Sequence, residues 1–312
     1  MTGEIREALI ISNPKAGRLR AARVKQLERA RLILAAHGVE TELVITDAPG
    51  AATVLARQAV QDARQMVIVC GGDGTLNEVV NGLAGSSVPL ALLPAGTANV
   101  LAKELGLPWD LENAAALFAH SELRRIALGL VTTANDTHSS RYFLSVGGAG
   151  PDGAIVNGVS SKLKNSAGTL AYWAEGFQQL VRYSFPRFRA TVNNQTIDAT
   201  FIIVGRTKHY GGPFRITTEA SLYSDQFELM LCTATNRVTY LGYIPLVWLG
   251  QLRRARQTHF LKATCVRCEP LDGEPPYVQV DGEPAGRLPA EFRIVPNALT
   301  LAVPAPADQA TS

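Results

Sequence analysis

The chain has 312 residues, 46% of them hydrophobic and 18% charged, with a formal net charge of +3. That length admits two domains with real cores, and so weak a charge neither calls for nucleic acid nor excludes an anionic surface as a partner. The longest apolar run, Tyr240 to Gly250, falls short of the ~20 residues a membrane span needs and contains Pro245, so a protein without a membrane span is expected. Cysteines stand at 70, 232, 265 and 268 with no signal peptide pattern ahead of them, which points to the reducing cytoplasm. Cys265 and Cys268 form a CxxC, but no second pair completes a zinc site, and a strand carrying two packed thiols is expected. His37, His120, His138, His209 and His259 show no metal-ligand spacing, and no serine elbow or zinc-protease helix motif supports hydrolase chemistry.

Ala8 to Ile11 predicts a short buried strand, stopped by Ser12-Asn13-Pro14-Lys15-Ala16-Gly17. A helix follows, with Val24, Leu27, Ala30 and Leu34 on its inner face and Gly38 as its stop. Thr41 to Thr46 is the next strand, and Asp47-Ala48-Pro49-Gly50 leads into a helix carrying Leu55 and Ala59. The strand Met66 to Cys70 ends in Gly71-Gly72-Asp73-Gly74-Thr75, which opens a helix with Leu76, Val79, Val80 and Leu83 on one face. Leu90 to Leu93 is a fourth strand, closed by Pro94-Ala95-Gly96-Thr97-Ala98-Asn99 before another helix. Such strand–helix units predict a parallel sheet covered on both faces. The loops then share the carboxyl edge, where ligands bind. A glycine-rich turn between a strand and a helix N-terminus offers oriented N–H groups to phosphate, and the missing Cβ atoms let the backbone approach. No lysine follows these glycines and the dinucleotide GxGxxG is absent, so a nucleotide site of another kind is indicated.

After about residue 125 the pattern changes to period 2: Phe201 to Val204, then Phe227, Leu229 and Leu231 on one face, then Tyr277 to Val280. Asn193-Asn194 is a candidate hairpin turn. An antiparallel β domain follows, with helical insertions at Leu170 to Val181 and Val238 to Leu252, and a disordered tail from Pro304 to Ser312. The second insertion carries Trp248 and runs into Arg253-Arg254-Ala255-Arg256, a combination that suits either a membrane interface or a helix packed on the β domain with its arginines in solvent. Lys162 and Lys164 are placed to assist with anionic lipid.

Four blocks, taken in order, resemble the diacylglycerol kinase and sphingosine kinase superfamily, most closely its small soluble bacterial lipid kinases: Asn13 to Gly17, Gly71 to Leu83, Leu93 to Ala102, and Val280-Asp281-Gly282-Glu283-Pro284. The resemblance spans nearly the whole chain, although the glycine–aspartate block alone is shared with NAD kinases and phosphofructokinases. It implies an ATP-binding α/β domain over 1–125, a β-sandwich lipid-substrate domain over 126–303 whose last strand, 291–303, returns to the first, and an active site in the cleft between them. ATP would be the co-substrate, bound by Gly71, Gly72, Asp73, Gly74, Thr75, Leu76 and Asn77 at its phosphates, with Asn13, Thr46, Thr97 and Asn99 completing the pocket. A lipid hydroxyl has a high pKa and needs a base as it attacks the γ-phosphate. The resemblance offers Glu283 as that acceptor with Asp281 as metal or water partner, or the two exchanged, and Asp73 to position Mg²⁺ through water.

Asp-Gly-Glu-Pro occurs twice, at 272–275 and 281–284; the first lies between prolines and reads as a surface turn, so the second carries the chemistry. The resemblance further implies a structural Mg²⁺ in the loop Leu222 to Phe227, with Asp225 as side-chain ligand and the carbonyls of Leu222 and Phe227. Gln226 stands where relatives have glycine, which weakens that site, and Pro151-Asp152-Gly153-Ala154 departs from the usual spacing around Asp152. The expectation is an ATP- and Mg²⁺-dependent lipid kinase working cytoplasmically or at the inner membrane face, as monomer or homodimer and without nucleic acid. The alternatives are an NAD kinase-type phosphotransferase and a non-catalytic lipid- or nucleotide-binding regulator of the same fold.

Overall fold

A computed structural model describes residues 5–14, 20–118, 121–134, 140–158, 183–211 and 214–305. The elements are β1 (Glu7–Ser12), α1 (Arg20–Ala36), β2 (Glu40–Ile45), α2 (Ala51–Gln61), β3 (Val67–Gly71), α3 (Asp73–Leu83), β4 (Leu90–Pro94), α4 (Val100–Glu104), α5 (Leu111–Phe118), β5 (Ser121–Thr133), β6 (Ser140–Phe143), β7 (Val146–Ala149) and α6 (Pro151–Gly158). They continue with β8 (Phe188–Val192), β9 (Gln195–Ala199), β10 (Phe201–Gly205), β11 (His209–Tyr210), β12 (Phe214–Arg215), β13 (Phe227–Cys232), α7 (Arg237–Trp248), β14 (Thr258–Ala263), β15 (Cys265–Pro270), β16 (Tyr277–Val280), β17 (Glu283–Arg287) and β18 (Ala290–Pro304). Lys15 to Gly17, His120, His138, Lys162, Lys164, the insertion Leu170 to Val181 and the tail 306–312 lie outside the described residues. The chain forms two compact units, Met1–Leu128 with Pro296–Ser312, and Gly129–Val295.

The first unit is an α/β layer structure. Its strands run parallel in the order β2-β1-β3-β4, and the end of β18 joins β4 in parallel at Leu301 and Leu90. Because β2 and β3 flank β1 on opposite sides, the winding reverses between β1 and β3, the place in open α/β sheets where a crevice opens beyond the carboxyl ends. Apolar β-branched strand residues such as Ile10 and Ile68 pack against Leu27, Ala30 and Leu34 of α1 and Leu111 and Ala115 of α5. Val24, expected on that inner face, is 62% exposed. At 100° per residue, Arg23 is the position in line with Leu27, Ala30 and Leu34, while Val24 is rotated toward solvent. Arg23 accordingly reaches inward and donates to the carbonyl of Ala95. The inner face of α3 is as expected, with Leu76, Val79, Val80 and Leu83 all buried.

The second unit is a β-sandwich. A six-stranded antiparallel sheet, β14-β13-β10-β7-β16-β17, faces strands that include β15, β8 and β9. Phe143, Phe188, Ile202, Phe227, Leu229, Leu231 and Phe292 fill the space between them. The alternation along β13 runs deeper than a half-buried strand, because Met230 and Cys232 on its other face pack with Tyr240 of α7. The sheet is thus covered on both faces. Asn193 and Asn194 form the two-residue turn between β8 and β9 with φ of 48° and 64°, the left-handed pair that matches the twist of a tight hairpin. Cys268 lies in the sandwich core while Cys265, three residues earlier on β15, points the other way and is half-buried.

Candidate active site

In the first unit both glycine-rich loops meet. β3 and β4 are parallel neighbours, and the amide of Ala95 donates to the carbonyl of Gly71 at 2.9 Å. Gly72 is the N-cap of α3, and its backbone lies against that of Gly96: a Cβ on Gly96 would stand 2.4 Å from Gly72 Cα. No side chain fits there, which is the physical reason for two glycines in two separate blocks. Asn99 ties the second loop, accepting from the Gly96 amide at 2.9 Å and donating to the Gly96 carbonyl at 3.1 Å, with a left-handed φ of 46°. It is 2% exposed. Its side chain thereby holds the turn that carries Thr97. Thr97, by contrast, is exposed at the tip.

Asn13 spans the winding reversal: its amide donates to Thr75 Oγ1 at 3.1 Å, and its backbone N–H to the carbonyl of Cys70. Thr46 sits just past β2, buried, with its backbone N–H on Ser12. Asp73 heads α3 and accepts from the amide of Val100 at the start of α4, joining the two loops a second time. Gly74 lies in the same first turn, while Leu76 packs inward and buried Asn77 accepts from Asn81. The first-turn N–H groups of a helix lack a carbonyl one turn back, so the end of α3 presents donors to an anion. Cations stand near: Arg23, and Lys103, whose ammonium burial drives below the usual lysine range while Asp73 pulls it back. Sequence reading missed Glu78, whose carboxylate accepts from Gly50 and Ala52 and so caps α2 from α3. It also missed Arg23, hidden in a helix stripe read as apolar.

In the second unit, Asp281 and Gly282 form the turn between β16 and β17, with φ of 50° and 79°. Both oxygens of Asp281 are used: Oδ2 accepts from Leu144, and Oδ1 from Ser145 and Val146, at 2.8, 2.9 and 3.0 Å. Glu283 begins β17, half-buried. The turn is held from behind as well. Gln279 accepts the amide of Gly282 at 2.9 Å and donates its own NH₂ to Asp152, which Tyr210 also donates to. Burial pushes the Asp152 carboxyl up to about 6, against the two hydrogen bonds that favour its charged form. Alternation along β16 makes Gln279 a solvent-face residue, but α6 covers that face so closely that a Cβ on Gly153 would be 2.1 Å from the Tyr277 carbonyl. The first Asp-Gly-Glu copy is the exposed turn expected, with Asp272 bound to Arg187 and Glu274 to Arg287.

The loop read as a metal site is arranged otherwise. The carbonyl of Leu222 accepts from Arg206 Nη2 at 2.7 Å and that of Ser224 from Nη1 at 3.1 Å. Asp225 is exposed, and Phe227 begins β13. The carbonyl of Leu222, expected to face a divalent ion, accepts from the Arg206 guanidinium.

Comparison with known proteins agrees with both halves. Residues 7–131 match the diacylglycerol kinase catalytic domain, and residues 145–303 the YegS C-terminal NAD kinase beta sandwich-like domain. The diacylglycerol kinase of Staphylococcus carnosus (strain TM300) is 30% identical over 92% of this chain and 92% of its own. That of Bacillus subtilis (strain 168) is 30% identical over 92% and 93%. A crystal structure of a diacylglycerol kinase from Bacillus anthracis str. Sterne, 22% identical, superposes with a TM-score of 0.76 over 99% of this chain and 100% of that one, which shows the shared fold. With an α/β unit carrying paired glycine loops, a β-sandwich carrying the Asp-Gly-Glu turn, and relatives alike along almost their whole length, the chain belongs to the diacylglycerol kinase family of lipid kinases, which use ATP as co-substrate.

Proposed function

We propose that this enzyme transfers the γ-phosphate of ATP to the hydroxyl of a diacylglycerol-, sphingoid- or related lipid, with Glu283 accepting the hydroxyl proton. The observation that carries the assignment is the bonding of Asp281. Its two oxygens hold the backbone of Leu144, Ser145 and Val146, so its carboxylate anchors the turn, and the proton-accepting role goes to Glu283, the other acid of that turn. In the first unit, the N-terminus of α3 with Gly71 to Asn77 receives the phosphates, and the loop of Thr97 and Asn99 backs it. Asp73 would hold Mg²⁺ through water, and the ion when bound supplies charge neutralisation to the phosphates. The protein's own work is to position the γ-phosphate, take the proton at Glu283 and release ADP.

The lipid is met at a membrane surface in this reading. Val238, Ile244, Trp248 and Leu249 make an exposed apolar side on α7 and its end, flanked by Arg254 and Arg256. Arg253 is not part of it, since its guanidinium pairs with the buried Glu228. Flotation on vesicles containing phosphatidylglycerol should drop in Trp248→Ala with Arg254→Glu and Arg256→Glu; flotation equal to wild type removes this surface from the account.

The defining assay supplies γ-labelled ATP and Mg²⁺ to diacylglycerol, sphingosine, ceramide, phosphatidylglycerol and NAD. Label is expected in a lipid, with Glu283→Gln slower by roughly 10²–10⁴-fold and ATP still bound. Label in NAD alone, or a Glu283→Gln enzyme as fast as wild type, would overturn the assignment.

A further inference from the structure

We infer that the guanidinium of Arg206 is a built-in substitute for a divalent cation, so that the β-sandwich of this chain holds its 221–227 loop and its Asp-Gly-Glu turn together without metal. Arg206 directly follows β10, and Gly205 pairs with Glu228 on β13, so residue 206 lies across from the end of the loop. Its side chain is wholly buried, at 0% exposure.

The donors of Arg206 then account for the loop. Nη2 and Nη1 bind the carbonyls of Leu222 and Ser224, the kind of oxygen a hard cation would collect. Its backbone N–H binds the carbonyl of Ser145, whose own N–H binds Asp281, so one residue touches the loop with its side chain and the anchor of the turn through one peptide. Asp225 and Asp281 are the two carboxylates that favour its charge; burial opposes them, bringing its pKa down to about 10, and it stays cationic at neutral pH. The remaining donor, Nε, is buried without a hydrogen-bond partner, so two carbonyl bonds and two carboxylate charges are what hold this cation.

The loop backbone agrees. A magnesium ion would need oxygens at ~2.1 Å in octahedral array, beside a guanidinium of like charge. The loop instead turns on serine hydroxyls, with Tyr223 N–H on Ser221 Oγ and Gln226 N–H on Ser224 Oγ. No residue from 221 to 227 has a positive φ. Gln226 therefore sits without strain where a metal-binding turn would call for glycine.

The test is thermal unfolding of the full-length protein without nucleotide, in EDTA and in millimolar MgCl₂, with metal analysis of the desalted protein. Wild type should melt at the same temperature in both buffers and retain no stoichiometric Mg²⁺. Arg206→Leu should melt roughly 10 °C lower, since it leaves the loop carbonyls and Asp281 without their cation. Arg206→Lys, which keeps the charge but not the fork, covers the case in which the leucine variant does not fold, and should melt between the two. A wild-type melting temperature that falls in EDTA, one retained Mg²⁺ per chain, or an Arg206→Lys protein as stable as wild type would overturn the inference. None of these readouts depends on lipid phosphorylation, so failure of the kinase reading would be seen separately.

Discussion

The two candidate half-sites, one in each unit, are built by different means. In the first unit the glycine loops are set by close backbone approach, Gly72 against Gly96, with the side chains of Asn99 and Asp73 tying them to neighbouring backbone. In the second, the turn that carries Glu283 is suspended on side chains from remote parts of the chain, through Asp281 to Leu144–Val146 and through Gln279 to Asp152. A backbone site tolerates no added volume, while a side-chain site tolerates no lost partner. The two should therefore break under different substitutions.

The largest effect is expected at Asp281→Ala, which strips an acceptor from three amide donors at once. Each such orphaned group costs about 1–3 kcal/mol, so the loss of stability should reach several kcal/mol, seen as a lower midpoint in denaturant together with loss of turnover. A variant that melts like wild type would show that water replaces the carboxylate and that the turn is not suspended as described. Gly96→Ala tests the other half. Its Cβ would fall 2.4 Å from Gly72 Cα and 2.7 Å from Asn99 Oδ1, so both loops must move, at a cost of about 1–3 kcal/mol for overpacking. The ATP-induced rise in melting temperature should disappear, whereas in Asp281→Ala it should remain if the protein folds.

The buried Asp152 sharpens the comparison through pH. Its folded pKa, about 6, lies above the ordinary 3.8. Stability from this group is therefore complete below about pH 4 and is lost as pH rises through 6, a difference of ~3 kcal/mol for two units. Asp152→Asn removes the titration, so the stability difference between variant and wild type should change with pH between 4 and 6 and be level above 7. A difference independent of pH would mean that the carboxyl is not held in its neutral form by burial. The smallest effect belongs to Val24→Lys. With Val24 pointing to solvent, the change should stay within about 0.5 kcal/mol, while Arg23→Ala should cost more and weaken ATP binding.

Much of this was legible in the residues because it is local. Strand periodicity, the α3 face, the Asn193-Asn194 turn and the exposed turn at the first Asp-Gly-Glu copy each depend on neighbours within a few positions. The glycine turns after β3 and β4 were legible for the same reason, since a glycine needed for close approach is a property of its own backbone. Reading failed where one element covers another. Val24 and Arg23 differ by one helical step, and only the position of the sheet says which faces in. Gln279 alternates like a solvent residue until α6 lies on it.

What the sequence alone determined is the alternating α/β pattern, the change to β, and the acids and glycines available for phosphoryl transfer. Only the tertiary structure shows what these residues bond to: Asp281 the backbone of Leu144, Asn99 its own turn, and Arg206 the carbonyl of Leu222. The physical reason is distance along the chain. The bonds in the second unit join residues as much as 137 positions apart, and no spacing rule within one segment can show which remote backbone a carboxylate will hold.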